Sequence, residues 1–191
     1  METITIQTET AELTEEQFFH LCSDNKGLRF ERDKNKNIIL MAPTGFYSSS
    51  NEIDVEFQLE LWNRKKQEGY VTGASGGYIL PNGAMRAPDA AWTKKERIDR
   101  LTDKEKERFP HLCPDFVIEI RSKSDTLKML QEKMQEWMEN GCRLGWLIDV
   151  ENKRVFIYRN NGTTEAVHSF KKKLSGEEVL PGLKLDLSEL K

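Results

Sequence analysis

Apolar residues along this chain recur at two spacings, near four in some stretches and near two in others, and the switches between them predict the elements. Thr14 and Gln17 stand at capping-box spacing ahead of FFHLC, which predicts a short helix over 14–24. LRFERD (28–33) and NIILMA (37–42) flank a turn-prone NKN and predict a β-hairpin. In SSNEIDVEFQLELWNRKKQEG, Ile53, Phe57 and Leu61 recur at i, i+4 and i+8, predicting a helix of about five turns that ends near Gly69. Residues 70–92 read as strands broken by PNGA at 81–84, and the charged run from Lys94 to Phe109 reads as a helical insertion stopped by Pro110. PDFVIEIRS (114–122) predicts a strand, TLKMLQEKMQEWMENG (126–141) a helix ended by Asn140-Gly141, and LGWLIDV (144–150) with RVFIYR (154–159) two strands joined by a tight turn. The order αββαββ(α)βαββ predicts an α/β chain, a mixed sheet flanked by helices. With no repeat or Pro/Ser-rich linker, residues 1–191 read as one domain with its core over about 12–188 and the insertion over about 94–109.

Composition narrows the functional classes. A length of 191 residues can bury a sizeable core, and four Trp with nine Phe exclude a disordered tail despite 32% charged residues. No window has the apolar length to span a bilayer, and METITIQTETAEL lacks a basic start followed by an apolar run, so the expected location is cytoplasmic. Cys22, Cys113 and Cys142 are too widely spaced for a zinc knuckle and odd in number for a disulfide framework. His20, His111 and His168 fall in no zinc pattern, so a metal, if held, is held by carboxylates, which favours a hard ion such as Mg²⁺ or Mn²⁺. The chain has no phosphate-binding glycine loop, and GASGG at 73–77 lacks dinucleotide spacing. Its net charge of −3 neither supports nor excludes nucleic acid, because binding depends on local patches.

The candidate chemistry lies on the 116–121 strand. Strand alternation turns Phe116, Ile118 and Ile120 to one face and Val117, Glu119 and Arg121 to the other. Glu119 and Arg121 are thus roughly 6.6 Å apart, with the carbonyl of Ile120 between them as a further oxygen ligand. A hard metal needs a second carboxylate. Asp115 is about 13 Å from Glu119 along the same strand and cannot share an ion with it, so Asp89, on a separate strand after Pro88, is the better partner. On the next helix, Lys133 falls at the border of the stripe formed by Leu127, Leu130, Met134 and Met138, beside Trp137, from where it could lean towards Glu119.

RAPDAAW, the run from Cys113 through Arg159 and the upstream NEI together resemble a restriction-endonuclease family of the PD-(D/E)XK nuclease superfamily, a widespread bacterial family often left as a domain of unknown function. The resemblance covers about residues 12–188 and is most specific from Pro114 to Tyr158. It implies a restriction-endonuclease-like core, Mg²⁺- or Mn²⁺-dependent hydrolysis of phosphodiester bonds in DNA with 5′-phosphate and 3′-hydroxyl ends, and a homodimer. By position, Asp89 matches the metal-binding Asp, Glu119 the acidic member of the second motif, and Glu52 an additional helix acid. Position 121 is Arg where the superfamily has Lys; the family's Lys has moved to the next helix, which fits Lys133. The implied metal ligands are Asp89, Glu119 and the Ile120 carbonyl, with Lys133 orienting water and Arg121 clamping phosphate.

Each of these residues also has a plain structural reading. Ser49-x-x-Glu52 is a capping-box pattern, Arg121 could be only an ion-pair partner of Glu119, and Lys133 a solvated flank lysine. A carboxylate in the middle of VIEI is harder to dismiss, because burial there is costly unless the group is paired or metal-bound. The missing Lys at 121 also keeps open a second function, the same fold as a non-catalytic nucleic-acid-binding or protein-interaction module, and a third, a hydrolase of a small phosphorylated substrate.

Overall fold

A computed structural model describes residues 3–8 and 12–191. In chain order the elements are β1 (Thr3–Ile6), α1 (Glu15–Asp24), β2 (Arg29–Arg32), β3 (Ile38–Met41), α2 (Phe46–Lys66), β4 (Gly69–Gly73), β5 (Tyr78–Ile79), β6 (Met85–Arg86) and β7 (Ala90–Lys94). They continue as α3 (Lys95–Asp99), α4 (Asp103–Lys106), β8 (Phe116–Ile120), α5 (Leu127–Glu139), β9 (Leu144–Asp149), β10 (Arg154–Arg159), β11 (Thr164–Val167), β12 (Leu174–Ser175) and β13 (Lys184–Leu185). The architecture is mixed α+β, with sheets flanked by helices. No helix among the described residues is long and apolar enough to cross a membrane.

A six-stranded sheet in the order β11-β10-β9-β8-β7-β4 forms the main layer. Its parallel pair, β8 with β9, is the one joined through helix α5, as a parallel crossover requires. A second sheet, β1-β3-β2-β6-β5, carries the predicted hairpin; β1, which periodicity did not signal, adds to its edge. The alternation of β8 holds: Phe116, Ile118 and Ile120 pack with Val55 and Leu59 of α2, whereas Val117 packs with Leu130, Met134 and Trp137 of α5. Gly145 lets α5 lie close on β9, since a Cβ there would meet Met134 at 2.4 Å. The charged run from Lys94 is two short helices, α3 and α4, each on the surface.

Helix α2 departs from the expectation in two ways. It starts at Phe46 with Gly45 as N-cap, so Glu52 lies in its second turn and Ser49-x-x-Glu52 caps nothing. The stripe that signals the helix is also not its buried face. Ile53, Phe57 and Leu61 are 66%, 63% and 44% exposed, while Val55 and Leu59 are wholly buried and Trp62 nearly so. Two residues of offset turn a helix by about 200°, so the two apolar stripes lie on opposite sides. The sheet takes the side that carries Trp62, whose indole N–H reaches the Pro181 carbonyl at 3.3 Å.

The inverted face makes a direct prediction. In urea unfolding of dilute protein, Leu59→Ala should cost about 2–5 kcal/mol, whereas Ile53→Ala should stay within about 0.5 kcal/mol of the parent. Equal losses would mean that both faces are packed in the monomer.

Candidate active site

The site forms where the β7–β8 ladder stops. Its last pair is Ala90 with Ile118. Beyond it Pro88 has no N–H to donate, and the Asp89 carboxylate takes the place of a ladder partner by accepting the Ile120 N–H at 2.7 Å. The Arg121 N–H bonds to the Ile148 carbonyl on the β9 side, so alternation turns both main-chain polar groups of Ile120 to the β7 side, where Asp89 stands. The Ile120 carbonyl and Asp89 therefore share one edge of the strand.

Glu119 projects to the α5 side and is almost wholly buried. Helix α5 is capped by Thr126, whose hydroxyl accepts the Met129 N–H at 3.3 Å. It buries Leu130, Met134 and Trp137 at i, i+4 and i+7, and Lys133 borders that stripe. Lys133 Nζ lies 2.9 Å from Glu119 Oε1, and the Trp137 indole N–H donates to the same oxygen at 2.8 Å. Trp137 is wholly buried in the core, and its polar edge also holds the acid in place.

Sequence reasoning missed Glu31. This residue of β2, 3% exposed, places Oε1 2.9 Å from Lys133 Nζ and accepts the Ala87 N–H at 3.0 Å. Its other oxygen meets Arg86 at 3.0 Å, and Arg86 in turn pairs with Glu136 at 2.6 Å. The only available signal was an acid inside a hairpin strand. Nothing in the sequence says that β2 faces α5.

Glu52 reaches the same cleft from α2, so Glu31, Glu52, Asp89, Glu119, Ile120 and Lys133 all line a cavity of about 600 Å³. Arg121 does not line it. Its Nε donates to the Asp125 carbonyl at 3.1 Å and its Nη1 pairs at 3.2 Å with the fully buried Asp149, not with Glu119. Asp115 is engaged at the opposite end of β8, where it accepts the Lys94 N–H at 2.9 Å and pairs with Arg97. Trp92 is buried and donates to Asn63 Oδ1 at 3.0 Å.

Charge in the cleft is unbalanced. Burial, reinforced by the charges of Asp89 and Glu31, pushes the Glu119 carboxyl above the ordinary carboxylate range against the pull of Lys133. Burial raises Asp89 too, with Glu52 and Glu31 adding to it, and raises Glu52 beside Glu56. Burial also opposes the charge of Glu31, yet Lys133 and Arg86 together hold that carboxyl below its usual value. Burial works against the Lys133 ammonium as well, but Glu119, Glu31 and Asp89 outweigh it and raise its pKa. Glu119 and Lys133 thus shift upward together, which looks contradictory for an ion pair. The geometry resolves it: Lys133 is shared among several acids, whereas Glu119 has only a share of one cation.

The donor set fits a hard cation. Asp89, Glu119 and the Ile120 carbonyl supply oxygen ligands, and the surplus of buried negative charge favours a further positive one. Among the described residues no three His, Cys, Asp or Glu side chains form a metal cluster, so water would complete the shell, as Mg²⁺ prefers. Such an ion would compete with Lys133 for Glu119, and Glu31 with the Ala87 carbonyl, 3.3 Å from Nζ, would keep the ammonium nearby.

No curated protein matches the chain significantly. The chain is similar to a crystal structure described as that of a putative nuclease belonging to DUF820, from Anabaena variabilis ATCC 29413. The TM-score is 0.71 at 19% identity, over 84% of this chain and 88% of that one, a likeness of fold. The model of the Uma2 family, described as "Putative restriction endonuclease", matches residues 15–188, and the chain belongs to that family.

Proposed function

We propose that this protein is a Mg²⁺-dependent endonuclease that hydrolyses phosphodiester bonds of DNA and acts as a homodimer. One observation carries the reading: Lys133 stands 2.9 Å from Glu119 in an acidic cleft shared with Asp89. Membership of a restriction-endonuclease family supports it.

In this reading Asp89, Glu119 and the Ile120 carbonyl hold the cation. When bound, Mg²⁺ polarises the phosphate and makes a coordinated water more acidic. Lys133 donates hydrogen bonds to the attacking water and to the oxygens on which charge builds. Glu31 and the Ala87 carbonyl restrain that ammonium, so Glu31 is a positioning residue. Glu52, which lines the same cleft, accepts a hydrogen bond from water. Trp137 fixes the rotamer of Glu119. Arg121 is left out of the chemistry and instead ties the end of β8 to Asp149 and to the turn at Asp125.

In cleavage of supercoiled plasmid with Mg²⁺ or Mn²⁺, Glu119→Gln, Asp89→Asn and Lys133→Ala should each lose about 10²–10⁴-fold in rate, matching the loss in EDTA. Arg121→Ala should keep cleavage within about tenfold. Metal-dependent cleavage that survives Lys133→Ala but not Arg121→Ala would reverse the assignment of the cation, and intact plasmid under every condition would favour a binding module.

Because Asp89 and Glu119 hold protons to higher pH when folded than unfolded, their stabilising contribution is complete below the unfolded values. It is lost as pH rises through the raised ones, so the share of metal-free stability that these two carboxyls supply should fall from about pH 4 to about pH 7. Thermal melts should show that fall in the difference between the parent and Asp89→Asn, in which the carboxyls common to both cancel, and millimolar Mg²⁺ should offset it at neutral pH in the parent but not in Glu119→Gln.

A further inference from the structure

The cations of the cleft divide into engaged and unengaged ones. Among the described residues Arg29, Lys34, Arg86 and Lys133 line it. Arg86 is held by Glu31 and Glu136, and Lys133 by Glu31 and Glu119. Arg29 and Lys34 have no acid within ion-pair distance among the described residues, and both belong to the β2–β3 hairpin. The register shows why Arg29 faces inward. Arg29 lies opposite Met41 and Glu31 opposite Ile39, and all four side chains line the cleft, so this sheet face is one of its walls. Arg29 precedes Glu31 by two positions, about 6.6 Å along the strand, and Lys34 follows it by three, so the two cations flank the residue that touches Lys133. Lys34 sits in a fixed turn, where the Asp33 carboxylate accepts the Asn35 and Asn37 N–H groups at 2.8 and 2.9 Å. Burial raises the Glu52 carboxyl and the charge of Arg29 pulls it back, which places Arg29 within electrostatic reach of the acids.

The facing wall has the opposite sign. Glu132, Glu136 and Glu139 stand at four- and three-residue steps on one face of α5 and line the cleft beside Lys133. Arg86 neutralises Glu136, whereas among the described residues Glu132 meets only the exposed Lys128, at 3.7 Å, and Glu139 only the Gln135 amide, at 3.0 Å. Space points the same way as charge. A cavity of about 600 Å³ equals a cube of roughly 8 Å on edge, while the backbones of B-DNA stand about 12 Å apart across the major groove. One backbone fits such a space and two do not. We propose that the substrate enters this cleft as a single unpaired DNA strand, with Arg29 and Lys34 holding the phosphates on either side of the scissile one. The hairpin wall offers cations to that backbone, and the helix wall repels the backbone of a complementary strand. Between them, Ile39 and Met41 on the hairpin and the half-exposed Met129 on α5 give unpaired base faces an apolar surface, which bases stacked in a duplex cannot reach.

This substrate class rests on the nuclease reading of the preceding section, and binding tests it apart from cleavage. With Ca²⁺ in place of Mg²⁺, fluorescence anisotropy should show a labelled single-stranded DNA oligonucleotide binding roughly tenfold or more tighter than the same sequence in a blunt duplex. Arg29→Ala and Lys34→Ala should each weaken single-strand binding roughly fivefold and lower the slope of log affinity against log salt by about 0.7, with an unchanged circular-dichroism spectrum. Glu132→Lys combined with Glu139→Lys should instead raise duplex affinity roughly tenfold, a gain that a structural role would not give. In cleavage, relaxed plasmid should resist where the supercoiled form is nicked, because negative supercoiling favours strand separation. Equal affinity for duplex and single strand, or salt slopes unchanged in both Arg29→Ala and Lys34→Ala, would overturn the proposal. Metal-dependent cleavage of relaxed duplex as fast as of single strands would overturn it too and spare the nuclease reading. Selective single-strand binding with no cleavage in Mg²⁺ or Mn²⁺ would do the reverse, keeping the phosphate wall and removing the nuclease.

Discussion

The sharing of one ammonium group among buried carboxylates governs this molecule. Lys133 touches Glu119 and Glu31 at 2.9 Å each and feels Asp89 as well. A buried carboxylate without a partner is costly, and here the acids outnumber the cations that face them. The arrangement is tolerable because Lys133, Arg86, the Trp137 indole and main-chain N–H groups each meet part of the demand. It remains short of positive charge, and that shortage distinguishes a candidate catalytic cleft from an ordinary structural ion pair.

The scaffold makes this possible by letting two sheets and two helices meet at one place. The β7–β8 ladder stops at Ala90 and Ile118, which frees Asp89 to bind the next N–H and leaves the Ile120 carbonyl on the same edge. Helix α5 closes the α5 side over Glu119, β2 of the second sheet adds Glu31, and α2 adds Glu52. Each supporting residue is itself anchored: Trp137 in the core, Arg86 between two acids, Glu31 on the Ala87 N–H. Such anchoring is what a site needs to keep its geometry through a reaction.

Local patterning made parts of this legible. The alternation in FVIEI placed Glu119 opposite Ile118 and Ile120, and the structure keeps those faces. Distance along an extended strand set Asp115 apart from Glu119, and Asp115 does lie at the other end with Lys94 and Arg97. The helix stripe placed Lys133 beside Trp137, and the ammonium leans to Glu119. Where two local patterns compete, periodicity was silent. Helix α2 has two apolar stripes, and spacing alone cannot say which one the sheet takes. Ser49-x-x-Glu52 has the letters of a capping box, but the helix had already begun at Phe46.

The sequence by itself determined the order of elements, the strand faces, and the acids and lysine worth testing. These depend on neighbours a few residues away, where helix and strand geometry fixes direction. Tertiary structure decided which way Arg121 turned, that Glu31 rather than any nearer acid completes the hold on Lys133, and which face of α2 stays open. Those outcomes depend on contacts between residues far apart in the chain, Glu31 and Lys133 or Arg121 and Asp149. A guanidinium or an ammonium goes to whichever buried carboxylate the packed sheets bring within reach, and that is a property of the assembled fold.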